Sequence, residues 1–197
     1  MGVATLWKEL DHARTFTTLQ KEAWKAFESS PYHALRLGID ASLWLFHIRG
    51  LPAQQDEEGG MGLNPELRML FFRLANLFSL PILPIFVFAG PEKPKKKRGS
   101  ERGATIGWGS TKLVRDFKDV IDAFGFQHME APGEAEAELA WLNDFGLIDA
   151  VLTDDVDTLL FGGRKVLRKC VFPRSTPCPC PATLTLSAPS SAAGALA

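Results

Sequence analysis

Apolar positions alternate with period two at Leu35, Leu37 and Ile39, then crowd together at Leu43, Trp44, Phe46 and Ile48. That change of period predicts a strand running into a helix, with Asp40 at the junction. Asn64, Pro65 and Glu66 have the cap, first-turn proline and early acid of a helix start, and Leu67, Leu70, Phe71, Leu74, Leu77 and Phe78 continue it as a helical stripe. On this pattern Phe71, Phe72 and Phe78 are expected in the core. Ile82 to Phe88 reads as a second strand ending at Ala89-Gly90. A further stripe at Leu113, Val114, Phe117, Val120, Ile121 and Phe124 stops at Gly125 and leads into a short strand, Phe126 to Met129. Pro132-Gly133 opens a helix carrying Ala135, Ala137, Leu139, Ala140 and Leu142; Ala150 to Leu152 is a buried strand, followed by Thr153-Asp154-Asp155-Val156-Asp157.

Strands that alternate with helices need crossover connections, so the fold class is α/β with a mainly parallel sheet flanked by helices. Ligands of such sheets bind outside the carboxyl ends of the strands. Asp40, Ala89 and Asp155 all occupy positions of that kind.

Composition sharpens the picture. The chain has 197 residues, 46% of them hydrophobic and 23% charged, with a net charge of -1, which excludes collagenous and disulfide-rich classes and permits a sizeable core. Residues 1–10 lack a basic region followed by an apolar stretch, and no run approaches the ~20 apolar residues of a membrane span, so no membrane partner is expected. Cys170, Cys178 and Cys180 form no CxxC pair and indicate neither a zinc site nor a disulfide framework. From Val171 onward Arg174 is the only charged residue, and Pro, Ser, Thr and Ala dominate. The expectation is a folded region over 1–169 and a disordered Pro/Ser/Ala-rich tail over 170–197.

Charge is distributed unevenly. Glu134, Glu136 and Glu138 stand at i, i+2 and i+4, and Asp155 and Asp157 at i and i+2. Carboxylates brought close together raise one another's pKa and oppose folding, a cost that bound cations relieve. Oxygen ligands without Cys or His suit Mg²⁺ or Mn²⁺, and a pair of such ions serves phosphoryl transfer. Acids in a first helical turn also favour the helix by ~0.3–1 kcal/mol each, so each motif alone has an ordinary structural explanation. Helical periodicity alone does not choose between Glu136 and Glu138. Lys93, Lys95, Lys96, Lys97, Arg98 and Arg102 place six of the chain's 22 Lys and Arg residues within ten positions, directly after the strand that ends near Ala89. Such a run is either a solvated loop or localisation signal, or a phosphate contact; its position beside the acidic cluster favours DNA. His12, His33, His47 and His128 have no paired spacing and read as structural or surface residues.

Four motifs together resemble the XPG and flap endonuclease family of structure-specific nucleases: MetGlyVal with Leu6-Trp7, GlyIleAspAlaSer at 38–42, AlaProGlyGluAlaGluAlaGlu at 131–138, and ThrAspAspValAspThrLeuLeuPheGly at 153–162. Within it the start and the short connection after PheValPhe look most like Holliday junction resolvases of the GEN and Yen type. The resemblance implies a PIN-like or resolvase-like core. It also implies metal and catalytic roles for Asp40, Glu134, Glu136, Asp155 and Asp157, two Mg²⁺ ions for which Mn²⁺ substitutes, and a nuclear protein of DNA repair and recombination. DNA contacts from Gly2, Lys93, Lys95, Lys96, Lys97 and Arg98 are expected, with branched DNA such as four-way junctions and flaps as partner; a dimer on a junction stays open. Leu51 and Met61 lie where the family carries an apolar wedge.

Two departures accompany the resemblance. Ala89 stands where the family pattern has Asp before Gly, and an alanine cannot hold a metal. After Gly162 the family continues into a further acidic ligand and a helix-hairpin-helix element, whereas this chain enters its Pro/Ser/Ala tail, so the core reads as truncated at its C-terminus. Both departures put cleavage in question and leave two other readings: an inactive binder of branched DNA, and a PIN-type ribonuclease.

Overall fold

A computed structural model of the chain describes residues 9–49, 64–92, 96–97, 100–101, 112–169 and 183–187. After a 3-10 turn, Leu10–Ala13, the elements in chain order are β1 Arg14–Thr17, α1 Leu19–Ser29, β2 Leu35–Asp40, α2 Ala41–Arg49, α3 Pro65–Phe78, β3 Ile82–Phe88 and the two-residue strands β4 Lys96–Lys97 and β5 Ser100–Glu101. Then come α4 Lys112–Ala123, β6 Gln127–Glu130, α5 Ala135–Asp144, β7 Ala150–Leu152, α6 Asp157–Leu160, β8 Lys165–Lys169 and β9 Thr183–Ser187. Seven strands form one sheet in the order β1-β9-β8-β7-β2-β3-β6. The five from β8 to β6 are parallel, and β9 runs antiparallel to both β8 and β1. The expected mainly parallel sheet is therefore present.

Side-chain alternation gives the sheet two apolar faces. Leu35, Leu37, Ile39, Phe86 and Phe88 face a core completed by Leu45 and Ile48 of α2, Leu70, Leu74 and Leu77 of α3, and Val114, Phe117 and Ile121 of α4. Val87 and Val151 face the opposite side, against Ala135, Leu139 and Leu142 of α5. The second face is tight at Gly38, where a Cβ would stand 2.5 Å from Ile148 Cδ1 and 2.6 Å from Leu139 Cδ2.

Three features depart from the sequence reading. Phe71, Phe72 and Phe78 are exposed, at 49%, 57% and 65%, because Leu70, Leu74 and Leu77 already turn the core-facing side of α3 inward. Phe71 and Phe78 pack instead on Phe124 at the rim, at ring distances of 5.3 and 5.9 Å. Residues 183–187, expected within a disordered tail, form β9: Thr-Leu-Thr-Leu alternates with period two, and β8 offers it an open edge. The rest of that tail lies outside the described residues. Helix α1 was not legible because its inward face rests on Ala23 rather than on large apolar side chains.

Two ion pairs fix distant segments. Arg36 donates from its guanidinium and its backbone N–H to Asp149, which joins β2 to the approach to β7. Lys165 Nζ lies 2.6 Å from Glu22 Oε2, and Thr17 Oγ1 donates to Glu22 Oε1 at 3.0 Å, joining α1 to β8. Burial by itself would raise the Glu22 carboxyl, but Lys165 and Thr17 outweigh it and hold the carboxyl below its ordinary 4.5.

Two outcomes are expected in denaturant titrations. Glu22→Gln costs about 1–3 kcal/mol at neutral pH. Because the folded-state pKa is depressed, that difference is full above the unfolded value and disappears as pH falls through the folded one. Gly38→Val costs about 1–3 kcal/mol through overpacking against α5, independently of pH.

Candidate active site

Register sets the first carboxylate. β2 pairs with β3 from Leu35↔Ile82 to Asp40↔Val87, and with β7 up to Ile39↔Leu152. The carboxyl ends of the three central strands are therefore level, and Asp40 lies at the middle one. Because Leu37 and Ile39 belong to the face covered by α2 to α4, Gly38 and Asp40 point to the α5 face. Asp40 is 3% exposed, and its Oδ1 accepts the backbone N–H of Ser42 at 2.9 Å and of Leu43 at 3.2 Å. These are orphan donors at the start of α2, which the aspartate caps.

The second group comes from the turn before α5. Gly90 N–H donates to Gly133 O at 2.8 Å, Glu92 N–H to Pro132 O at 3.1 Å and Ala131 N–H to Phe88 O at 2.8 Å. Gly90 has no room for a side chain, since a Cβ would collide with the Ala131 and Pro132 carbonyls. This stitching fixes where α5 begins relative to the end of β3. Glu134 occupies the N-cap position with φ -80° and ψ 135°, outside helical geometry, so it need not follow the helical face pattern. Glu136 lies on the inward stripe with Leu139, Ala140 and Asn143 and is 8% exposed, whereas Glu138 is half-buried. Between the two residues that periodicity left open, the fold turns Glu136 inward.

The third group follows β7. Thr153 Oγ1 accepts from Asp155 N–H and Asp155 Oδ1 from Asp157 N–H, both at 3.1 Å, which winds 153–157 into the first turn of α6. Asp155 is buried and Asp157 half-buried. Asp154, immediately before them in sequence, stands 3.7 Å from His47 Nε2 and 3.9 Å from Arg168 Nε. No spacing in the sequence signals that contact, because its partners come from α2 and β8.

Asp40, Glu134, Glu136, Asp155 and Asp157 thus come from two adjacent strand ends, β2 and β7, and one helix start, α5. No three His, Cys, Asp or Glu side chains among the described residues are close enough to form a ready-made metal cluster. Their chemistry nevertheless fits a hard divalent cation. All are oxygen donors, and Glu136 Oε2 is buried with no hydrogen-bond partner among the described residues. Leaving a buried polar atom unsatisfied costs about 1–3 kcal/mol, and more if it is charged, and coordination would offset that cost. Ala89 does not fit: it packs half-buried against the apolar cluster of Val87, Ala131 and Ala135.

Of the expected DNA contacts, Gly2, Lys93, Lys95 and Arg98 lie outside the described residues, as do Leu51 and Met61. Lys96 and Lys97 form β4, paired with β5. Sequence reasoning missed a groove of about 520 Å³ along α3, lined by Pro65, Arg68, Met69, Phe72, Arg73 and Asn76. Arg73 lies over the Trp44 ring at 5.5 Å, and burial pushes its pKa down. The misplacement of Phe72 in the core hid this groove.

Comparison with known proteins adds the following. The XPG N-terminal domain matches residues 1–105 and the XPG I-region residues 125–186. A human protein named Flap endonuclease GEN homolog 1 is 31% identical over 183 residues, covering 85% of this chain and 18% of that protein. The structure of the Holliday junction-resolving enzyme GEN1 with product DNA and Mg²⁺ superimposes with a TM-score of 0.68 at 38% identity, covering 93% of this chain and 39% of the other. Human GEN1 in complex with Holliday junction DNA gives a TM-score of 0.67 at 25% identity, covering 94% and 44%. The chain therefore spans less than half the length of each of these relatives.

Thermal unfolding checks the metal assignment. Mg²⁺ or Mn²⁺ at ~100 times the dissociation constant stabilises the native chain by about 2.7 kcal/mol, a rise in Tm of roughly 5–10 °C. Glu136→Gln is expected to abolish that rise without lowering the metal-free Tm.

Proposed function

Since the chain belongs to the XPG family, whose N-terminal domain and I-region it carries, we propose that it is a structure-specific DNA endonuclease that hydrolyses phosphodiesters at branch points, in four-way junctions or flaps, with two Mg²⁺ ions. The observation that carries this reading is the convergence of Asp40, Glu134, Glu136, Asp155 and Asp157 at the carboxyl ends of one parallel sheet, with a buried, unpartnered oxygen on Glu136. When bound, the ions would activate water and offset the charge that builds on the phosphoryl group.

The chain's own residues have separate tasks in this scheme. Asp40, anchored by two backbone N–H groups, presents a fixed carboxylate, because it cannot swing without uncapping α2. Glu134 and Glu136 are positioned by the stitched turn, and Asp155 and Asp157 by the Thr153 turn. The basic run Lys93 to Arg98 would hold the backbone of DNA beside the carboxylates, and the same run suits import into the nucleus. A role in repair or recombination follows from branched substrates. The XPG matches favour this reading over a PIN-type ribonuclease.

Incubation of the purified chain and Mg²⁺ with four-way junctions, flaps, linear duplex and single-stranded RNA tests the proposal. Incision of branched DNA, with binding at least ~10-fold tighter than to linear duplex, is expected. Failure either to cut or to prefer branched DNA would overturn it, and cleavage of RNA alone would point to the ribonuclease.

A further inference from the structure

The aromatic side chains around the end of α1 take no part in the site at the carboxyl end of the sheet. α1 buries Ala23 and turns Glu22 inward to Lys165, yet its outer side carries Trp24 and Phe27, exposed at 47% and 41%. Tyr32, in the connection to β2, is exposed at 58%. Single exposed rings are ordinary, but these belong to an ordered cluster. The Trp24 and Phe27 rings meet edge to face at 5.4 Å, and the His33 ring lies 5.5 Å from Phe27. His33 has a φ of 49°, the one positive value on a non-glycine residue among the described residues, and its Nδ1–H donates to Phe27 O at 2.9 Å. A left-handed backbone is uncommon for a residue with a side chain and marks a place where the surroundings hold it. Here it keeps an exposed imidazole beside an exposed phenyl ring.

Charge narrows what the cluster can hold. Lys21 and Lys25 are exposed, one helical turn apart, on the side of α1 next to Trp24. Glu28 is the one exposed carboxylate of this helix. Rings with a basic flank suit a nucleic-acid strand whose bases are unpaired: each base offers a face for stacking, and the phosphates between bases meet the lysines. Bases inside a duplex keep those faces stacked on one another.

We propose that this surface binds single-stranded DNA and takes the unpaired arm of a flapped substrate. Tyr32 and His33 precede Leu35, which begins β2, and Asp40 ends the same strand. The six residues of β2 span about 20 Å. A single strand running from the acids to the rings therefore needs on the order of six nucleotides at ~3.4 Å each. The flap assignment rests on the nuclease reading; the affinity for single-stranded DNA does not.

Fluorescence anisotropy of labelled oligothymidine with the full chain, in EDTA to prevent cleavage, tests it. Trp24→Ala should weaken binding about 5- to 100-fold at an unchanged Tm, and Trp24→Phe should retain most of it. Replacing both Lys21 and Lys25 by Ala should flatten the dependence of log K on log salt by roughly 1.4, a second reading that does not involve the ring packing. With flaps of increasing length, affinity should rise once the arm reaches about six nucleotides, and Trp24→Ala should lose that rise. No oligothymidine binding by the unsubstituted chain, or unchanged affinity and salt dependence in the Trp24 and lysine variants, would overturn the inference whatever the incision assay shows. Affinity independent of flap length would overturn the flap assignment. Weakened oligothymidine binding in Trp24→Ala, alongside no incision of any branched DNA by the unsubstituted chain, would support the single-strand surface and overturn the nuclease reading instead.

Discussion

The close approach of Gly90 to the Ala131–Gly133 turn governs the geometry of the site. Two hydrogen bonds, Gly90 N–H to Gly133 O and Glu92 N–H to Pro132 O, join the exit of β3 to the entrance of α5. A side chain at position 90 would separate them. Through this contact the strand that flanks Asp40 sets where Glu134 and Glu136 begin their helix. The close fit of α5 on Gly38 then fixes the other end of the same relationship, because Leu139, three residues beyond Glu136, rests on the strand that carries Asp40. Glycine at both places lets backbone and helix come close enough for acids from separate elements to share one end of the sheet.

The same contact makes the site costly to assemble. Five carboxylates at one end of a sheet repel, and the chain meets this cost locally. Asp40 is satisfied by helix N–H groups and Asp155 by the Asp157 N–H. Glu136 has no such relief at Oε2. Ion pairs elsewhere in the sheet, Arg36 with Asp149 and Glu22 with Lys165, tie its frame together.

Much of this was legible in the sequence where one element reports itself. The strand at Ile82–Phe88 and the proline-led start of α3 have patterns that local physics dictates. Other features depend on tertiary context. The phenylalanines of α3 look like core residues until Leu70, Leu74 and Leu77 are seen to fill that face. The choice of Glu136 over Glu138 needed the direction of α5 on the sheet, and the contact of Asp154 with His47 and Arg168 joins elements more than a hundred residues apart in sequence. β9 stabilises only because β8 presents an unpaired edge, which no property of Thr183–Ser187 alone could announce.

That last strand has a consequence for the order in which the sheet is built. β9 joins residues 14–17 on one side to residues 165–169 on the other. The central strands pair across shorter separations and can assemble while the chain is still emerging, but the outer pair must wait for segments nearly 170 residues apart to meet. Long-range pairing is slow because its loop must close before any contact rewards it. Until then β9 exposes a bare backbone edge. The acidic end of the sheet is thus shaped early, by local stitching, and the opposite border is sealed last.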